Sequence, residues 1–131
     1  MGGPEYLIDT NVVIDFFIGR LPTKATDWLE ELFEGEFYFS IINKIELLGF
    51  SSTDPNETQM LEDLIGMATL LPLSDDVAKE TIAMRKQHKI KLPEAVVGAT
   101  AISYDLTLVT RNLKDFSKVS KIKVLNPHDM I

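Results

Sequence analysis

The chain has 131 residues, too few for two domains of usual size, so residues 1–131 are expected to form one domain. It has no cysteine, which excludes a disulfide scaffold, a zinc–thiolate site and a cysteine nucleophile, and fits a cytoplasmic protein. The net charge of −7, from 13 basic and 20 acidic residues, runs against a protein that holds nucleic acid by its overall field, but it suits a carboxylate site neutralised by metal or an acidic module for a basic partner.

No apolar run approaches the roughly 20 residues that span a bilayer, and no basic, apolar leader opens the chain, so no membrane contact is expected. The opening Met1-Gly2-Gly3-Pro4 carries no functional weight, and Tyr6 stands where a myristoylation signal needs Ser or Thr. Residues 5–8 form a short apolar run ending at Asp9, a first strand. Residues 11–18 read as a helix, stopped by Gly19 and Pro22. Residues 23–34 set Ala25, Trp28, Leu29, Leu32 and Phe33 on one helical face, closed by Gly35. Residues 37–41 give a second strand, and Ser40 caps a helix carrying Ile42, Ile45, Glu46 and Leu48. Asp54-Pro55-Asn56-Glu57 is a capping box opening a helix whose Met60, Leu61, Leu64 and Ile65 should face inward.

Residues 69–73 are a third strand, and Ser74-Asp75-Asp76 starts a helix running to about Gln87. Pro93 begins a helix through Ser103, rich in small residues at Ala95, Gly98, Ala99 and Ala101. Residues 107–110 form a fourth strand, 113–116 a helical turn and 122–125 a fifth strand. Strands alternating with helices imply an α/β sandwich with a mainly parallel sheet of four to five strands. In such sheets functional groups gather beyond the carboxyl ends of the strands, where strand order reverses. Asp9 lies just past the first strand, and Asn112 and Asp115 just past the fourth. If those two strands are neighbours at the switch point, their polar ends meet.

Four carboxylates stand among apolar residues: Asp9, Glu46, Glu94 and Asp115. Each has an ordinary explanation. Asp9 can cap the next helix, Glu46 can be solvated, Glu94 suits the helix dipole in a first turn, and Asp115 can be a turn residue. Carboxylates grouped in low dielectric would repel one another unless a cation joined them, and Mg2+ or Mn2+, which take oxygen ligands and keep water, suit that role. Such an ion lowers the pKa of bound water, so hydrolytic attack would require no histidine. His88 lies in a basic stretch, Lys86-Gln87-His88-Lys89-Ile90-Lys91, and His128 in the tail. Lys89 and Lys91 from that stretch, and Arg111, Lys114, Lys118 and Lys121 from the other side, are basic groups that a solvated helix end explains as well as a function does.

Ile8-Asp9-Thr10-Asn11-Val12-Val13-Ile14-Asp15 resembles the opening motif of the PIN-domain family. The segment from Ser40 to Glu46-Leu47 resembles the second motif, Leu92-Pro93-Glu94 through Ala101 the third, and Leu108-Val109-Thr110-Arg111-Asn112-Leu113-Lys114-Asp115-Phe116 the fourth. Order and spacing match over essentially the whole chain. Short members of this kind are VapC-like toxins of toxin–antitoxin pairs. The resemblance implies a three-layer α/β/α fold, one or two Mg2+ or Mn2+ ions, endonucleolytic RNA cleavage, a homodimer, and inhibition by a small antitoxin protein. It makes Asp9, Glu46 and Glu94 the acidic triad and Asp115 a fourth acid. Asn112 becomes a polar ligand or water-positioner and Thr110 a hydroxyl supporting Asp9. On the same resemblance Lys89, Lys91, Arg111, Lys114, Lys118 and Lys121 would steer an RNA backbone. Asp15 reads as a surface or salt-bridge residue. The family's third position is usually aspartate; here it is Glu94, one methylene longer.

Two other readings follow. A haloacid-dehalogenase-type phosphatase also has an aspartate after its first strand, but needs a second acid where this chain has Asn11. A non-catalytic PIN domain would bind protein or RNA without cutting. A dinucleotide-binding fold is excluded, since no glycine-rich turn follows the first strand.

Overall fold

The computed structural model describes residues 3–49 and 54–131. Met1 and Gly2, at the chain's opening, lie outside them. The elements run in the expected alternation: β1 (Tyr6–Ile8), α1 (Thr10–Phe17), α2 (Thr23–Glu34), β2 (Tyr38–Ser40), α3 (Ile41–Gly49), α4 (Pro55–Met67) and β3 (Thr69–Leu71). They continue with α5 (Asp75–Gln87), α6 (Leu92–Ser103), β4 (Thr107–Val109), α7 (Leu113–Phe116), β5 (Lys123–Leu125) and a 3-10 turn at Pro127–Asp129. The five strands form one sheet in the order β3-β2-β1-β4-β5, and every pairing is parallel.

Because side chains alternate across a strand, the central strands feed two separate cores. Leu7 and Leu108 point to one face, where they meet Val77 and Met84 of α5, Val96 and Ala99 of α6, and Phe116 of α7. Ile8 and Val109 point to the other, against Val12 and Val13 of α1, Leu29 and Phe33 of α2, and Leu64 of α4. Helices therefore cover both faces, giving the three-layer α/β/α arrangement. On the second face Phe16, Phe33, Phe37 and Phe39 stack in sequence, with ring centroids 5.2, 5.0 and 5.8 Å apart.

Local signals account for most boundaries. The Asp9 carboxylate accepts the Thr10 amide and so starts α1 one residue earlier than expected. Gly19, at φ +73°, supplies the left-handed residue after that helix. Asp54 caps α4 through the Asn56 amide, and Ser74 caps α5 through that of Val77. The third strand stops at Leu71 because Pro72 has no N–H to continue the ladder.

One burial expectation is corrected. Met60 is 52% exposed, so the inward face of α4 narrows to Leu64 and Ile65, with Leu61 half-buried. Ile45 is 59% exposed and Leu48 lies at the surface; α3 buries Asn43 and Leu47. Among the described residues, no helix is long and apolar enough to cross a membrane.

Candidate functional site

Strand order reverses between β1 and β4, so the polar residues following these two strands meet. Ile8 pairs with Val109, and the Asp9 amide donates to the Val109 carbonyl at 2.9 Å. That register sets Asp9 beside Thr110. The Thr110 hydroxyl donates to Asp9 Oδ2 at 2.8 Å, and the Thr10 amide donates to Oδ1 at 2.9 Å. Longer bonds come from Asn11 Nδ2 at 3.3 Å and Asn43 Nδ2 at 3.4 Å. Four donors thus fix one carboxylate that is 8% exposed. Burial pushes the Asp9 carboxyl above its usual range; the Thr110 and Thr10 bonds pull it down, and the negative charges of Glu46 and Glu94 push it up again.

Asp9, Glu46 and Glu94 line one cleft of about 200 Å³, together with Thr10, Asn11, Ile14, Pro93, Val97, Arg111 and Asn112. Glu46 is exposed on α3, and its Oε1 accepts the Thr10 hydroxyl at 2.8 Å. Glu94 enters from the first turn of α6, and its Oε2 is buried without a hydrogen-bond partner. A buried carboxylate oxygen left unpaired is costly, and beside two further acids it calls for a cation. Oxygen-only donors suit Mg2+ or Mn2+. The three acids are nonetheless not drawn into a ready-made cage: among the described residues, no group of three His, Asp or Glu side chains stands close enough to hold an ion.

Asp115 does not line this cleft. Its Oδ2 accepts Asn112 Nδ2 at 2.8 Å, and it borders a separate open hollow with Arg85, Lys89, Ile90 and Lys91. Asn112 connects the two, because its amide donates to Thr110 Oγ1 at 3.0 Å. Lys114 is exposed on α7.

Arg111 stands on the cleft, but it is not a free surface cation. Its Nη1 donates to both carboxylate oxygens of Asp15, at 2.8 and 3.0 Å. Asp15 is 1% exposed, so the expectation of a surface residue fails while that of a salt bridge holds. His128 Nε2 lies 2.8 Å from Asp15 Oδ2, which takes this histidine out of an inert tail.

Sequence reasoning missed Asn43. Its side chain accepts the Ser40 amide at 2.9 Å and donates to Thr10 Oγ1 at 3.1 Å, so it ties the start of α3 to the Asp9 carboxylate. Its spacing held the signal, since Asn43, Glu46 and Leu47 share one helical face.

An all-parallel sheet with helices on both faces and a carboxylate-lined cleft at its switch point defines an α/β protein of the acidic-site kind. The chain belongs to the PIN domain family, whose sequence profile matches residues 6–122. It is 26% identical to a protein named ribonuclease VapC from Rickettsia bellii, over 91% of this chain and 93% of that protein. A toxin–antitoxin complex from Klebsiella pneumoniae contains a chain 28% identical, with a TM-score of 0.76, over 94% of this chain and 98% of the other. VapBC2 from Rickettsia felis, solved with a promoter DNA fragment, shares the fold at 20% identity and TM-score 0.79, over 92% of this chain and 97% of its own.

Proposed function

We propose that the chain is a ribonuclease of the VapC type, the toxin of a toxin–antitoxin pair, cutting RNA phosphodiester bonds endonucleolytically with Mg2+ or Mn2+ held by Asp9, Glu46 and Glu94. The observation that carries this reading is the unpartnered Glu94 Oε2 in a cleft shared with the buried Asp9 carboxylate and Glu46. The names of the relatives, a ribonuclease VapC and a toxin–antitoxin complex, support it.

Asp9, Glu46 and Glu94 would hold the divalent ion, which when bound would supply positive charge and a more acidic water. The protein's own part is positional. Asp9, held by four donors, keeps its orientation without reorganisation. Thr110 serves Asp9 and Asn112 at once, so the hydroxyl couples the acid of β1 to the amide of the loop after β4. Asn112 lines the cleft, and Asp115, outside it, acts through Asn112. Beyond it, Lys89 and Lys91 give the RNA backbone a basic approach in a chain otherwise acidic, with Lys114 also exposed on α7.

An apolar hollow lined by Ile14, Phe17, Ile18, Leu47 and Leu61 adjoins the cleft through Ile14 and Glu46 and is a suitable seat for an antitoxin segment. Exposed Ile82 and Leu92, on neighbouring α5 and α6, offer apolar surface for a homodimer. A second reading, RNA binding without cleavage, is favoured by the absence of a preformed three-acid cage among the described residues.

Incubation of single-stranded RNA with the protein, with millimolar manganese or with chelator, separates the two. Cleavage with manganese only is expected, and loss of cleavage in Asp9→Asn and Glu46→Gln, both retaining the wild-type circular dichroism spectrum. RNA bound but uncut with manganese would leave the second reading.

A further inference from the structure

The cleft is lined by three carboxylates and, among the described residues, a single cation, Arg111. Its placement is controlled from two points of α1, one helical turn apart. Asn11 Oδ1 accepts the Arg111 backbone amide at 3.2 Å, while Asp15 takes the guanidinium through Nη1. The Asn11 amide group also donates to Asp9 Oδ2 at 3.3 Å and to Thr110 Oγ1 at 3.4 Å. The arginine's backbone is therefore indexed to the buried acid of the site, and its head group to the same helix.

Asp15 is itself immobilised. It is almost wholly buried, and a carboxylate there requires charged or hydrogen-bonding partners. It has one from each of two loops: Arg111 after β4 and His128 after β5. His128 is fixed in turn, its amide donating to Asn126 Oδ1 at 3.0 Å. Among the described residues only Nη1 of Arg111 is engaged, and the arginine side chain is 51% exposed. The remaining guanidinium donors are free to take a second anion, in the planar geometry that matches phosphate oxygens.

We propose that Arg111 grips a phosphate of the RNA next to the one being cut, and that Asp15, braced by His128, is the positioning residue that aims it. This rests on the ribonuclease reading for the identity of the ligand. It assigns work to two residues, Asp15 and His128, that otherwise pass as a structural ion pair.

The test measures KM and kcat for a single-stranded RNA oligonucleotide with manganese, alongside the salt dependence of RNA binding in calcium or chelator. Arg111→Gln should raise KM roughly tenfold, the loss of one charge-assisted contact, with the larger part of the effect in KM. It should also lower the slope of log affinity against log salt by about 0.7, one phosphate on a single strand. Arg111→Lys should keep the slope, since the charge remains, but not restore KM, since the fork is lost. Asp15→Asn should raise KM although Arg111 is intact, and the double variant should be no worse than Arg111→Gln. Additive effects in the double variant, or wild-type KM in both Arg111 variants, would overturn the proposal; the Arg111 variants decide it even if Asp15→Asn does not fold. RNA bound with the expected slopes but never cut would remove the ribonuclease reading and leave the grip standing. RNA not bound at all would remove both.

Discussion

Replacing Gly98 with alanine sets two effects of similar size against each other. In a helix interior the substitution alone would stabilise by about 0.8–1 kcal/mol. Here, in the middle of α6, the new Cβ would sit 2.8 Å from Phe116 Cε1, 3.3 Å from Met84 Cε and 3.4 Å from Ile122 Cδ1. The last two atoms end flexible side chains and can give way. Phe116 cannot, because its ring is 1% exposed in a close-packed interior. It must retreat by roughly 0.7–1.2 Å to reach an ordinary carbon–carbon contact of about 3.5–4.0 Å. Overpacking of this kind costs about 1–3 kcal/mol, so the variant should be less stable by up to about 2 kcal/mol. Urea unfolding checks this: the midpoint should fall with an unchanged slope. The retreat also has a functional reading. Phe116 closes α7, the turn holding Asp115 against Asn112, so RNA cleavage should drop with the midpoint. A variant about 1 kcal/mol more stable than wild type would show that helix propensity prevails and refute the packing argument.

The Glu94 position supplies another test. If Glu94 is a ligand, Glu94→Gln should lose most manganese-dependent cleavage and Glu94→Asp should keep it; equal initial rates for Gln and wild type at limiting manganese would reduce Glu94 to a helix-dipole residue worth about 0.3–1 kcal/mol. For Asp9 the sign runs opposite to that of an ordinary surface acid. Its folded pKa is raised above the usual 3.8, so the folded state holds the proton more tightly than the unfolded chain, and the stability this confers is lost as pH rises through the raised value. In the absence of divalent ions, Asp9→Asn should therefore gain in melting temperature relative to wild type between about pH 4 and pH 7. A constant difference across that range would contradict the raised pKa. At neutral pH, manganese at about 100 times its dissociation constant should restore roughly 2.7 kcal/mol to the wild type and little to the variant.

The central sheet was legible because its strands are buried on both faces and read as unbroken apolar runs, Leu7-Ile8 and Leu108-Val109, each followed at once by a polar residue. Adjacency of β1 and β4 stood only as a condition in the sequence pattern, and the strand order meets it. Failures came where a side chain's fate depends on residues far away in sequence. Met60 sits on a helical period that looks apolar, but the buried face of α4 is narrower than that period. Asp15 resembled a helix-end surface acid because its two partners are 96 and 113 residues further along. Asn43 was masked by the apolar residues around it, and its value appears only once Asp9 and Thr10 are packed beside it. Periodicity reports which face is inward; it does not report which polar group on that face has found a mate.

The strand order also has a temporal side. β1 occupies the middle of the sheet, yet one of its two neighbours, β4, arrives about a hundred residues later. The 2.8 Å bond from Thr110 to Asp9 spans 101 positions, and the brace on Asp15 waits for His128, 113 positions further along. On a ribosome adding about 5–20 residues per second, the first acid emerges seconds before the groups that orient it. Until then Asp9 is only a carboxylate at the end of an unfinished strand. The site is thus assembled only after β4 and β5 have been made, a hundred residues and more beyond the acid that they orient.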